Sequence, residues 1–288
     1  MTRARLVGVA LAALALLATA ACSSDGQSPK PTNPFDSYVA MGDSSVAGPG
    51  ISPTSPLGEL CFRSANNWPT LLAKELGTKD LKDVSCSGSP SADMLYPKVA
   101  SNGTPIAAQI DALSADTQLV TISIGGNDES TFTKMLVACL GGASASDSEC
   151  ASLADTKLKP ILARTTDRIA TTLEHIHYKA PQARIVMVGY LRLFPDAGGC
   201  AIPGLTDTRI ESAAAVWEAL DEAMRAGAER SDVEYVSMAT ASDGHVSCDG
   251  DQAWVTGLKN VPGDGALLHP NSAGMRAVAK AVADHLKR

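Results

Sequence analysis

Along the chain, short apolar runs alternate with longer segments in which apolar residues return every three or four positions. Strand-like runs recur at residues 37–41, 81–85, 119–124, 184–190 and 233–237. The first is β-branched and aromatic and stops abruptly at Gly42-Asp43-Ser44, which reads as a buried strand entering a tight turn. Helical spacing appears between the runs. Residues 68–76 follow Asn66-Asn67, a cap, and residues 105–113 carry apolar positions at helical intervals. Residues 153–178 have helical propensity, with Pro160 starting a fresh helix or kinking the first. Thr206-Asp207 opens a long amphipathic helix to Arg230, with Ile210, Ala213, Ala214, Trp217, Leu220 and Met224 on one face. A last helix runs over 271–285. Strands alternating with helices imply a parallel sheet covered on both faces. The simplest such α/β architecture is a flavodoxin-like three-layer α/β/α sandwich with a five-stranded parallel sheet.

The ends and the composition refine this picture. Arg3 and Arg5, an apolar run over 6–18 and small residues up to Cys22 read as a secretory signal peptide over residues 1–21. The stretch Leu17-Ala18-Thr19-Ala20-Ala21-Cys22 resembles a bacterial lipobox, with Thr19 where leucine is usual. Cys22 would then carry lipid, and the polar, proline-rich segment 22–34 would be a flexible tether. Residues 35–288 suit one domain with a full-sized core. The formal charge is −7, and removing the two leader arginines leaves 22 basic against 31 acidic residues, or −9. An acidic domain without basic clusters argues against nucleic acid. Apart from Cys22, six cysteines remain: Cys61, Cys86, Cys139, Cys150, Cys200 and Cys248. In an exported chain an even number implies disulfides, and sequence alone permits 15 pairings. The lack of a Cys-x-x-Cys spacing disfavours zinc.

The candidate chemistry sits at strand ends, where open α/β sheets bind ligands. Ser44 follows the first strand, Ser123-Ile124-Gly125-Gly126-Asn127-Asp128 ends the third in an amide, and His269-Pro270-Asn271 opens the last helix with an imidazole. Each has a bland alternative. Ser44 could cap a helix, and Ser45 is a rival nucleophile. Gly88 could be an ordinary turn, and Asn127 an Asx turn. Asp43 reads as structural, bonding turn amides rather than titrating. His175 and His177 lie near the C-terminus of a long helix, where cations suit the dipole, and His285 sits in the final turn of the last helix. His245 is the serious rival base.

The ordered set Gly42-Asp43-Ser44, Cys86-Ser87-Gly88, Gly125-Gly126-Asn127-Asp128 and His269-Pro270-Asn271 resembles the SGNH, or GDSL-type, hydrolases. Within them the chain is similar to the secreted actinobacterial esterases and lipases with three disulfides. Ser45 stands where leucine is usual. The resemblance implies the same sandwich fold and a serine esterase or lipase that works through an acyl-enzyme without cofactor or metal. It assigns Ser44 as nucleophile, His269 as base, and the Ser44 amide, the Gly88 amide and the Asn127 side chain as the oxyanion hole. It also implies the pairs Cys61–Cys86, Cys139–Cys150 and Cys200–Cys248. The family's Asp-x-x-His pattern fails here, because position 266 is Ala266 and Asp264 lies five residues before His269. Some members of the resembling subgroup orient the histidine with a backbone carbonyl, so the resemblance implies a Ser–His dyad, with the Ala266 carbonyl orienting the ring and Asp264 as the alternative. The expected partners are an acyl ester or lipid substrate and, through Cys22, a membrane; the expected state is a monomer. A carbohydrate O-deacetylase with the same machinery and a non-catalytic glycolipid-binding lipoprotein are the rival readings.

Overall fold

The computed structural model describes residues 34–141 and 145–288, apart from the Leu57 side chain. The expected signal peptide, Cys22 and nearly all of the expected tether lie outside them.

The order of elements begins with strand β1 (Ser37–Gly42), helix α1 (Ser44–Ala47), helix α2 (Trp68–Leu76) and strand β2 (Asp80–Asp83). Next come α3 (Ala92–Leu95), a small ribbon of β3 (Lys98–Val99) with β4 (Pro105–Ile106), and β5 (Leu119–Ser123). The chain continues through α4 (Thr131–Met135), α5 (Asp147–Ser152), α6 (Lys159–Lys179) and β6 (Arg184–Val188), and ends with α7 (Asp207–Arg230), β7 (Glu234–Val236) and α8 (Ser272–Leu286).

The main sheet is parallel, in the order β2-β1-β5-β6-β7. Counting only its own strands, that is the flavodoxin-like order 2-1-3-4-5, and the strand order reverses between β1 and β5. Those two strands are buried along nearly their whole length. Tyr38, Ala40, Met41, Leu119, Val120 and Ile122 are fully buried, and the Tyr38 hydroxyl pairs with Thr121 Oγ1 at 2.7 Å. Helices α2 and α8 pack together, as do α6 and α7. Their ends are set locally. Asn67, Thr206 and Asn271 each accept an amide three residues on, at the starts of α2, α7 and α8. Pro160 stands at the start of α6, which leaves 153–157 as a separate turn.

One helix expected from the spacing does not form. Residues 105–113 divide into the ribbon strand Pro105–Ile106 and a single 3₁₀ turn, Gln109–Ala112. The turn places the buried Gln109 side chain against the Gly42 peptide, where it accepts the N–H at 2.7 Å and donates to the carbonyl at 2.9 Å. A tertiary bond thus overrides local propensity.

The six domain cysteines form Cys61–Cys86, Cys139–Cys150 and Cys200–Cys248. The first ties the turn Pro56–Cys61 to the loop after β2. The last joins the loops that follow β6 and β7, where Ser247 Oγ also donates to the Leu193 carbonyl at 2.7 Å.

Candidate active site

Two turns meet at the switch point of the sheet. At the end of β1, Gly42 adopts φ 143°, and a Cβ there would stand 2.5 Å from the Ser123 carbonyl oxygen, so glycine is required. Asp43 then caps α1, its Oδ1 accepting the Ser45 amide at 2.9 Å. Ser44 is the first residue of the helix. After β5, Gly125-Gly126-Asn127 reverses the chain, and past Asp128 both Glu129 and Ser130 sit in the left-handed region. The Asn127 amide donates to the Ser89 carbonyl at 3.2 Å and touches Asp43 Oδ2 at 3.5 Å.

His269 arrives on a backbone clip. Thr256 N donates to the His269 carbonyl at 2.9 Å, Leu268 N to the Gly257 carbonyl at 3.0 Å, and Asn271 N to the Trp254 carbonyl at 2.9 Å. The clip holds Leu268 at φ 52°, a left-handed conformation uncommon for leucine. The imidazole Nδ1 lies 2.7 Å from the Leu267 carbonyl, leaving Nε2 free of that bond. This corrects the expected acceptor. The Ala266 carbonyl is taken by the Thr256 hydroxyl and by the His269 backbone N–H. Asp264 does not reach the ring either, because its Oδ1 accepts the Ser272 amide at 2.9 Å, at the start of α8. Burial pushes the His269 pKa below its ordinary value, against a smaller raising effect from the Leu267 bond.

Ser44, Ser45, Asn127 and His269 line one cleft. Its remaining wall is chiefly apolar: Phe132, Leu191, Leu193, Trp217, Val255 and Leu268. Tyr190 stacks on Trp217 with centroids 5.2 Å apart, and Phe132 meets both Trp217 and His269 edge-on. Gly88 is not among the lining residues. It occupies an exposed turn at φ 78°, beside the Ser89 whose carbonyl holds Asn127. A Cβ at Gly88 would meet nothing within 4 Å, so the positive φ is what selects glycine there. Neither the Ser44 nor the Gly88 N–H donates to an acceptor among the described residues.

The other histidines stand apart from this cleft. His245 stacks flat on Trp254, 3.9 Å between centroids, with Nδ1 on the Gln252 carbonyl. His175 bonds the Thr171 carbonyl within its own helix. His285 is more than a helix-end residue, since its Nε2 pairs at 2.6 Å with Glu234, which also holds Arg184.

Three contributors are not evident from the sequence. Gln109 fixes the Gly42 peptide, as described above. Asp128 accepts the Ser91 N–H at 2.7 Å and its hydroxyl at 2.6 Å, which fastens the Gly88 loop to the Asn127 turn. Tyr190 donates to Asp43 and accepts from Gly126 N at 3.0 Å. Asp43 itself departs from expectation. It does bond a turn amide, but burial outweighs the Tyr190 and Ser45 donors and raises its pKa to about 7.

A hydroxyl, an amide and an imidazole around an apolar cleft at the end of a parallel sheet are the parts of an acyl-transfer hydrolase. The GDSL-like Lipase/Acylhydrolase family matches residues 40–277, and the chain belongs to it. Lipase 2 of Streptomyces coelicolor A3(2) is 34% identical over 275 residues, covering 90% of this chain and 88% of its own. The phospholipase A1 of Streptomyces albidoflavus NA297 superposes with a TM-score of 0.73 at 26% identity, covering 88% of this chain and 100% of that one. For the extracellular lipase of Streptomyces rimosus the TM-score is 0.71 at 25% identity, with coverages of 88% and 99%. The protein is therefore a carboxylic ester hydrolase of the esterase and lipase type.

Proposed function

We propose that Ser44 is the nucleophile, that His269 is its base, and that the Ser44 and Gly88 amides with the Asn127 side chain bind the oxyanion. Ser44 Oγ attacks the ester carbonyl while His269 Nε2 takes its proton. The carbonyl oxygen becomes the oxyanion, and His269 returns the proton to the departing alcohol. Water then attacks the acyl-enzyme by the same route and frees the acid. The Leu267 carbonyl, as acceptor for Nδ1–H, keeps Nε2 in its basic tautomer, and this supports a dyad without an acid. The observation that carries the proposal is the convergence of Ser44, Asn127 and His269, from three separate segments, on one cleft.

The apolar wall built from Phe132, Leu191, Leu193 and Trp217 favours an acyl chain over the polar sugar of a deacetylase. The reading of residues 1–21 as a signal peptide, the three disulfides and the extracellular relative together support export. Cys22 is the residue that would anchor the enzyme to a membrane.

The test is Ser44→Ala beside Ser45→Ala. Ser44→Ala should lose hydrolysis of a nitrophenyl ester series and labelling by a serine-reactive phosphonate, while Ser45→Ala keeps both. Full labelling of Ser44→Ala would move the nucleophile elsewhere. A rate that falls with acyl length from acetate onward would favour the deacetylase reading.

A further inference from the structure

The Tyr190 hydroxyl has two partners, and each belongs to a turn of the site. It accepts the Gly126 N–H at 3.0 Å, one residue before Asn127, and donates to Asp43 Oδ2, one residue before Ser44. Asp43 Oδ1 in turn holds the Ser45 amide at 2.9 Å, and Asp43 Oδ2 lies 3.5 Å from the Asn127 amide. The group is buried: Tyr190 is 4% exposed and Asp43 2%. Gly126 packs against the ring, since a Cβ there would stand 3.3 Å from the tyrosine oxygen. The ring itself stacks on Trp217, whose edge contact with Phe132 leads to His269. A tyrosine serving only to fill the core could place its hydroxyl on any nearby carbonyl. This one bonds only groups next in sequence to the proposed nucleophile and the proposed oxyanion donor.

We infer that Tyr190 is a positioning residue for ester hydrolysis, its hydroxyl bridging the Asp43-Ser44 turn and the Gly126-Asn127 turn so that the Asn127 amide is fixed relative to Ser44. The inference rests on the proposed roles of Ser44 and Asn127. A chain of buried hydrogen bonds polarises its members and resists reorganisation. Oxyanion stabilisation depends on donors that are already in place when charge develops. Without the hydroxyl, Gly126 N and Asp43 Oδ2 lose their shared partner, and the two turns are joined at this point through the Asn127 amide and its long Asp43 contact.

The experiment is a double-mutant cycle of Tyr190→Phe with Asn127→Ala, measuring kcat and KM on a soluble short-chain ester, at temperatures below each variant's measured Tm. Phenylalanine keeps the stack on Trp217 and removes only the oxygen. Tyr190→Phe should lower kcat about 10- to 100-fold with KM nearly unchanged, the signature of an interaction made in the transition state. In the Asn127→Ala background the same change should cost about threefold or less, because partners acting as one unit are not additive. An equal loss in both backgrounds would overturn the bridge, and so would a Tyr190→Phe enzyme that is less stable yet keeps wild-type kcat. If Asn127→Ala is itself unimpaired, the oxyanion assignment fails first, and that result is distinct from the other two. Should Tyr190→Phe not fold, Asp43→Asn enters the same cycle. It replaces the carboxyl group that accepts the Tyr190 hydroxyl with an amide, and an unchanged kcat there would equally overturn the inference.

Discussion

At the scale of single residues, the site depends on which backbone group faces each side chain. His269 Nδ1 meets the Leu267 carbonyl, and Asp264 is occupied with the Ser272 amide at the start of α8. Asp264→Ala should therefore change kcat less than tenfold and cost about 1 kcal/mol of stability, comparable to losing a helix cap. Loss of a triad carboxylate can cost about 10⁴ in kcat, so a near-dead but folded Asp264→Ala enzyme would restore the triad. The lowered pKa of His269 also has a direction that can be measured. A base whose protonation is suppressed by burial stays active further into acid, so the acid limb of kcat/KM should inflect below the ordinary histidine value of about 6.5. That limb should persist in Asp43→Asn, since the proposed base is His269. An inflection at or above pH 7 in both proteins would contradict the burial argument.

Elements carry these residues, and their placement explains what the sequence reveals. Strands β1 and β5 are legible because both are short apolar runs ending in glycine-rich turns. The site motifs follow at once, since an open parallel sheet presents the residues beyond its strand ends. Other features depend on long-range contacts. Tyr190 lies 147 residues from Asp43, and Gln109 lies 67 from Gly42, so no local pattern announces either bond. The helix expected over 105–113 gives way for the same reason. The shift from Ala266 to Leu267 follows from the left-handed turn at Leu268, which leucine does not advertise. The Cys61–Cys86 link shows what an element-level constraint does. It fastens the turn Pro56–Cys61 to the loop that presents Gly88, with Ser87 N donating to the Cys61 carbonyl at 3.1 Å. Replacing both cysteines by serine should lower the unfolding free energy by roughly 2–4 kcal/mol in urea. Because Gly88 is a proposed oxyanion donor, kcat should fall as well. Undiminished kcat in the folded double variant would separate the disulfide from catalysis.

For the whole molecule, the buried acids make stability depend on pH in an unusual direction. Burial is the first cause of a raised pKa for Asp43, Asp83, Asp128 and Asp221, and Asp43 reaches about 7. An unfolded aspartate releases its proton near 3.9. Between those values the native state binds more protons than the unfolded chain, so each such group loses stabilising effect as pH rises. For Asp43 the contribution is full below about pH 4 and gone above about pH 7, a change of roughly 1.4 kcal/mol per unit at most. His269 works the other way. Its lowered pKa means that stability falls as pH drops through the unfolded histidine value, so the total curve mixes both signs. A difference measurement isolates the aspartate. Asparagine resembles the protonated acid in size and cannot ionise. The stability of Asp43→Asn minus that of the wild type, from urea unfolding, should therefore rise between pH 4 and pH 8 and level off near 7. A difference that stays constant over the range would mean that Asp43 is ionised throughout, held so by Tyr190 and the Ser45 amide in spite of its burial.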